Sequence, residues 1–264
     1  MALLNWIIIF SLIGGILSVI AASIFLLLPG HHRVKFLPHM VSFATGTLLG
    51  AAFLGLLPEA MSNEKVTDVH SITLTVLFGI LGFFILEKLV LWRHCHVDDC
   101  EMHSNEDSHV HHDHSQRSAG LLVLIGEAVH NFVDGILIAA AFITDIHLGV
   151  VTALAVAAHE IPQELGDFAI LLQSGFSGTK ALTYNVLSSL TTVVGAVLAY
   201  NSLESAQSVI PYVLAIAAAS FIYIAVADLI PGLHKRTAPI ESLQQFVLIL
   251  CGVGLIQLGH HFLH

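Results

Sequence analysis

Residues 3–28 read LLNWIIIFSLIGGILSVIAASIFLLL, twenty-six positions without one charge. Crossing about 30 Å of hydrocarbon takes about 20 apolar residues, and this run is longer than the 7–15 residues of a secretory leader's apolar core. It also lacks the basic residues that precede such a core, so it reads as a first membrane span. Working outward, the same grammar repeats. Apolar runs at 38–60, 70–92, 118–143, 148–174, 179–200, 209–231 and 242–262 predict seven further helical spans. Breaks are expected where charge or turn chemistry intervenes, at Pro29-Gly30-His31-His32-Arg33, at Ser62-Asn63-Glu64-Lys65 and through the polar stretch 93–117. The later breaks fall at Thr144-Asp145, Gly175 to Gly178, Asn201 to Ser208 and Gly232 to Pro239. The fold class expected is all-α, a polytopic membrane protein of eight transmembrane helices forming one transmembrane domain over 1–264.

Composition agrees. Of 264 residues, 56% are hydrophobic and 11% charged, with mean hydropathy +0.85. A soluble domain carries about 25% charged residues, so this chain could not cover its outside in water. Nine Lys and Arg against a net charge of −10 exclude a phosphate-binding surface, and nucleic acid with it. Three cysteines, Cys95, Cys100 and Cys251, do not make a disulfide framework. The lipid bilayer is the partner the composition demands.

The basic residues orient the chain, because Lys and Arg collect on the cytoplasmic side. With the N-terminus outside, Arg33, Lys35, Lys88, Arg93, Arg117, Lys180, Lys235 and Arg236 all flank inner connections, and only Lys65 is outside. Eight spans then place both termini outside. The absence of a targeting segment suits a bacterial inner membrane.

Eighteen histidines are far above ordinary usage. Residues 94–114 read HCHVDDCEMHSNEDSHVHHDH, with seven histidines, two cysteines and six acids. Such a segment has no apolar face to bury, so 93–117 is expected to be a disordered cytoplasmic loop. Its side chains are ligands of zinc and its neighbours, at spacings that match no closed zinc-finger pattern. A weak, exchangeable, multi-ion site is the expectation.

Ionisable groups inside the spans are costly in lipid and by default mark ion pathways. The fourth span, VLIGEAVHNFVDGILIAA at 123–140, carries Glu127, His130, Asn131 and Asp134. His130 and Asp134 are four apart and share a face. The fifth, AVAAHEIPQELGDFAILL at 155–172, carries His159, Glu160, Gln163, Glu164 and Asp167, with Pro162 expected to kink the helix and free the Ala158 carbonyl. Imidazole and carboxylate from two facing helices make a mixed nitrogen and oxygen site, suited to Zn²⁺, Fe²⁺ or Mn²⁺ rather than Ca²⁺, with Cd²⁺ a further soft candidate. Lacking thiolate, such a site can release its ion. His159-Glu160 also begins H-E-x-x-H, but Gln163 stands at the second histidine position. Glu59 is a candidate for the ion entrance, Asp228 for an exit, and Glu87 with Lys88 for an interfacial charge pair.

These stretches resemble the ZIP (Zrt/Irt-like) family of metal-ion transporters, bacterial type. The resemblance rests on HNFVDG at 130–135 and HEIPQELGDF at 159–168. It is supported by GTLLGAAFLGLLPEA at 46–60, GFFILEKLVLWRHCH at 82–96, YNVLSSLTT at 184–192 and YIAVADLIP at 223–231. It implies a ZIP-type bundle of eight helices with a two-metal centre between the fourth and fifth. His130, Asp134, His159, Glu160 and Gln163 match one ion site; Asn131 and Glu160 match a second, with Glu160 bridging. Two positions depart from the family. Many animal members carry a second histidine where this chain has Gln163. Some bacterial members place a glutamate on the sixth helix, where this chain has Ser188-Ser189-Leu190-Thr191-Thr192, so the second site would draw on water, Glu164 or Asn185. The function implied is import of divalent transition-metal ions, zinc foremost, as cargo and with no catalytic cofactor. A homodimer is among the assemblies open to the chain. The rival readings are an intramembrane metal-dependent hydrolase and a membrane metal sensor or buffer without flux.

Overall fold

The structure, a computed structural model, describes residues 2–66, 68–98, 111–203, 205–235 and 238–263. Among these, eight long helical elements account for nearly all of the chain. They are α1 (Ala2–Leu26), α2 (Gly30–Ser62), α3 (Val69–Asp98), α4 (His111–Thr144), α5 (Ile146–Gln173), α6 (Gly178–Leu203), α7 (Gln207–Leu233) and α8 (Pro239–Leu263). Seven contain a stretch long and apolar enough to cross a bilayer. The other is α5, whose 28 residues reach about 42 Å at 1.5 Å each. Its own acids lower its hydropathy, yet it is the most enclosed helix of the bundle.

The chain is thus an all-α polytopic membrane protein. Burial separates two kinds of helix. Along α5, fourteen residues from Leu148 to Leu171 are buried, and it packs on α1, α2, α4, α6 and α8. By contrast α3 exposes Leu74, Leu77, Phe78, Leu81, Phe84, Ile85 and Leu86, and α8 exposes Leu243, Phe246, Val247, Leu250, Leu255 and Leu258. Those apolar faces fit lipid, which charges nothing for contact with leucine. The acid-bearing α5 therefore sits inside a jacket that includes these apolar helices.

Two crossings set how close the helices come. A Cβ added to Gly135 on α4 would run into the Thr192 carbonyl of α6, and one on Gly195 of α6 into the Phe132 carbonyl of α4. Gly46 on α2 and Gly252 on α8 make the same reciprocal arrangement through the carbonyls of Ile249 and Phe43. Only hydrogen fits at these four points, so the backbones touch.

The helices overrun several expected limits. The break expected at 29–33 is narrower: Pro29 is extended (φ −54°, ψ 143°), and α2 begins at Gly30, with Pro38 inside it. Proline tolerates a helix start because the first donors have no partner there. Pro38 has no donor for the Val34 carbonyl one turn back; one position on, His39 Nδ1 donates to the Lys35 carbonyl at 2.8 Å. Helical backbone also takes the ends of the 93–117 stretch, as α3 reaches Asp98 and α4 begins at His111. Residues 99–110, the middle of the His-rich segment, lie outside the described residues. Pro162 falls within α5, which continues through it.

Wide π-helical turns interrupt α1 at Ile13–Leu17, α2 at Ala51–Leu56 and α7 at Ile224–Leu229. In the latter two, proline follows within two residues (Pro58 and Pro231), where a shifted hydrogen-bond register reduces the demand for its missing donor.

Candidate metal centre

His130 and Asp134 lie one turn apart on α4, and His159 and Glu160 are adjacent on α5. The helix packing brings the four side chains to one point. His130 Nε2 lies 3.2 Å from His159 Nε2, 3.3 Å from Glu160 Oε1 and 3.6 Å from Asp134 Oδ2. His159 Nε2 lies 3.4 Å from Asp134 Oδ2 and 3.5 Å from Glu160 Oε1. Bonds of about 2.0–2.1 Å to a tetrahedral ion separate its ligands by about 3.3–3.4 Å. The observed edges have that length.

The ring orientations favour a ligand role. His159 Nδ1 is 3.1 Å from the Ala155 carbonyl, which can only accept. Nδ1 is therefore the protonated nitrogen, and the lone pair of Nε2 faces the cluster. Phe221 of α7 stands edge-on to the His159 ring and is fully buried. Both oxygens of Asp134 and both of Glu160 are buried without a hydrogen-bond partner. Buried polar atoms normally have one, so these four atoms are placed for something other than a protein donor. His130 is the open side, with 21% of its side chain exposed against 0–1% for the other three.

A second group abuts the first. Ligand oxygens of Glu127, Glu160 and Glu164 lie within 4.8 Å of one another. Glu127 Oε1 accepts from Asn131 Nδ2 and Oε2 from Gln163 Nε2, both at 2.8 Å. Asn131 Oδ1 accepts from Thr192 Oγ1 at 2.9 Å, and Ser189 Oγ donates to Glu164 Oε1 at 3.0 Å. These bonds tie α4, α5 and α6 together, and Thr191 Oγ1 adds a tie to the Ala128 carbonyl at 2.7 Å. Asp167 continues the acidic face of α5, buried and with Oδ2 unpartnered.

The residues singled out in the sequence thus divide. His130, Asp134, His159 and Glu160 converge on one point. Glu164 stands with Glu160 in the second group. Asn131 and Gln163 direct their amide donors to Glu127, the residue that sequence reasoning passed over as a site member. The signal was there: Glu127 is three, four and seven residues before His130, Asn131 and Asp134, on their helix face.

Farther out, Glu59 of α2, Asp145 and His147 line a pocket with Gly55, Leu148, Val151 and Ile256. Asp145 also caps α5 through the backbone amides of His147 and Leu148. Toward the opposite ends of the helices, Tyr223 donates to Glu87 and Asp228 is exposed. Lys88 stands 5.8 Å over the Phe84 ring, so Glu87 finds its partner on α7 rather than in its neighbour.

Comparison with known proteins adds a separate line. A family model described as "ZIP Zinc transporter" matches residues 2–258. The chain is 32% identical over 223 residues to Zinc transporter YKE4 of Saccharomyces cerevisiae, covering 78% of this chain and 64% of that one. It is 32% identical over 234 residues to Zinc transporter ZIP13 of Pongo abelii, covering 84% of this chain and 66% of that one. Against Zinc transporter ZIP13 of Danio rerio it is 31% identical over 262 residues, covering 84% and 75%. The chain thus spans just under two thirds of the length of the first two relatives.

Proposed function

We propose, from the premise that this chain belongs to the ZIP zinc-transporter family, that it carries divalent transition-metal ions across a membrane, with zinc as the principal cargo. The observation that carries the reading is the convergence of His130, Asp134, His159 and Glu160 at tetrahedral spacing inside the bundle. Two imidazoles and two carboxylates suit zinc; Fe²⁺, Mn²⁺ and Cd²⁺ remain candidates on donor chemistry alone. The relatives are named as transporters, so the hydrolase reading is not taken further.

The direction proposed is import, in an inner membrane with both termini outside, from the distribution of Lys and Arg. Metal would enter past Glu59 and Asp145 and shed water onto the imidazoles. It would leave past the acids of α5 toward the His-rich segment. Without thiolates the site holds the ion loosely enough to let it go. Protons compete for the same lone pairs, so acid weakens loading.

The test is zinc flux into proteoliposomes holding a fluorescent indicator. Saturable uptake by the wild type, lost in His130→Ala/Glu160→Ala, is the expected result. Uptake that survives the double substitution would move the site elsewhere. No uptake by the wild type, with zinc still bound, would leave a membrane sensor or buffer.

A further inference from the structure

We propose that Phe221 is a positioning residue for the His130 cluster. Its ring, reaching across from α7, holds the His159 imidazole where a tetrahedral ion needs it, and so favours zinc over cations of other geometry. The inference rests on the reading of that cluster as the ion site, and it adds a residue that is no ligand itself.

An imidazole swings about its Cβ–Cγ bond unless its edge and its face are both constrained. At His159 both are. The Ala155 carbonyl, 3.1 Å from Nδ1, ties one edge. The Phe221 ring stands at 60° to the imidazole, with centroids 6.1 Å apart, and is fully buried. A swing of His159 must displace that ring, and a close-packed interior resists it. His130, with 21% of its side chain exposed, is less enclosed. The pair is thus one held imidazole and one with room to turn, their Nε2 atoms 3.2 Å apart.

Phe221 is itself held from behind. Ala219 and Tyr223 are four apart on α7 and share a face, and that face meets α3. Gly79 of α3 comes so near that an added Cβ would lie 2.6 Å from the Ala219 Cβ. Phe83 of α3 stacks on Tyr223 at 6.3 Å, and the Tyr223 hydroxyl donates to Glu87. Phe221 is two positions from each, about 200° round the helix, so the contacts that fix α7 against α3 turn its ring toward α5. The wide turn Ile224–Leu229 begins just beyond, where the Ile224 amide donates to the Ser220 and Phe221 carbonyls.

Zinc takes four ligands at tetrahedral spacing and favours imidazole, whereas carboxylate, carbonyl and water suit Mn²⁺. Loosening His159 therefore costs zinc more than Mn²⁺, and Phe221 acts on selectivity through the ligand it holds.

Zinc and Mn²⁺ binding to the full-length protein in detergent, by equilibrium dialysis, tests this without any flux. Binding that persists in His130→Ala/Glu160→Ala measures the His-rich segment and is subtracted. Phe221→Leu should weaken zinc about tenfold and Mn²⁺ no more than about twofold. In a His159→Ala background the same substitution should change zinc affinity by less than about twofold, because the ring it holds is gone. Phe142→Leu is the packing control: Phe142 is 1% exposed and packs on Phe10, so its loss should leave zinc affinity within about twofold. Where Phe221→Leu does not fold, Phe221→Met, closer in volume but without the ring, replaces it. Unchanged zinc affinity in the Phe221 variant, or an equal loss with and without His159, would overturn the proposal. Zinc binding in the wild type no greater than in His130→Ala/Glu160→Ala would overturn the ion-site reading as well. The expected pattern in a protein that moves no zinc would sink the transport reading and leave the role of Phe221 standing.

Discussion

Gln163 occupies a position whose chemistry changes once its neighbours are known. Beside His159 and Glu160 in the sequence it resembles a weak oxygen ligand; in the fold its amide donates to Glu127 across the α4–α5 interface. Removing a donor from a buried carboxylate leaves it part-desolvated, at a cost of about 1–3 kcal/mol. Gln163→Ala should therefore lower thermal stability in detergent, while Gln163→Leu, similar in size but without the donor, should do no better. Equal stability of wild type and both variants would show the bond to be idle. Among the proposed ligands, Asp134→Asn keeps shape but removes charge. Zinc affinity in that variant should fall by about tenfold or more, read by equilibrium dialysis against a competing chelator. At the same residues pH acts with a definite sign: each proton bound by His130 or His159 removes a lone pair from the ion. Initial uptake should decrease as the medium is acidified and recover on return to neutrality. Uptake that rises with acidification would contradict a site made of these imidazoles.

At the scale of the helix, α4 and α6 are held in contact by two glycines and a row of hydroxyls. Gly135 and Gly195 each face a carbonyl of the other helix, and Thr191 and Thr192 bond across the gap to Ala128 and Asn131. A methyl at either glycine must push the backbones apart, and overpacking of this kind costs about 1–3 kcal/mol or more. Gly135→Ala should lower stability and, by shifting His130 relative to His159, zinc affinity too. Gly82→Ala is the control, since nothing lies within 4 Å of the added carbon on the lipid-facing α3. A similar loss in both variants would remove the crossing as the cause. The helices themselves were legible beforehand. Apolar runs of span length fold the same way wherever they sit, because in hydrocarbon every backbone donor must be satisfied within its own helix. The ends were less legible. Pro29 marks a start rather than a break, and charged residues such as Arg93 and Lys35 can ride on helices that continue past the hydrocarbon. The π-helical turns in α1, α2 and α7 left no pattern that hydropathy could detect.

Taken whole, the molecule separates its acids from lipid by surrounding α5 with apolar helices. The middle of the His-rich segment, 99–110, lies outside the described residues. Replacing residues 99–110 with a Gly/Ser linker should leave saturable zinc uptake by the bundle in place while reducing the zinc bound per protein at rest. Loss of uptake would place the segment within the pathway. The proposed orientation is open to a similar check: in a background without native cysteines, Asn63→Cys should react with an impermeant thiol reagent from outside, and Ser177→Cys only from inside. What the chain determined by itself was the class of the molecule, its helices and the identity of the polar groups placed at membrane depth. Hydropathy, helical period and the number of charges are properties of neighbours along the chain. Only the tertiary structure decided that His130, Asp134, His159 and Glu160 meet, that Asn131 and Gln163 turn to Glu127, and that Ser189 and Thr192 reach in from α6. Those pairings depend on how the helices are rotated about their axes and how closely their backbones approach, and between α4 and α6 glycines 60 residues apart set that distance.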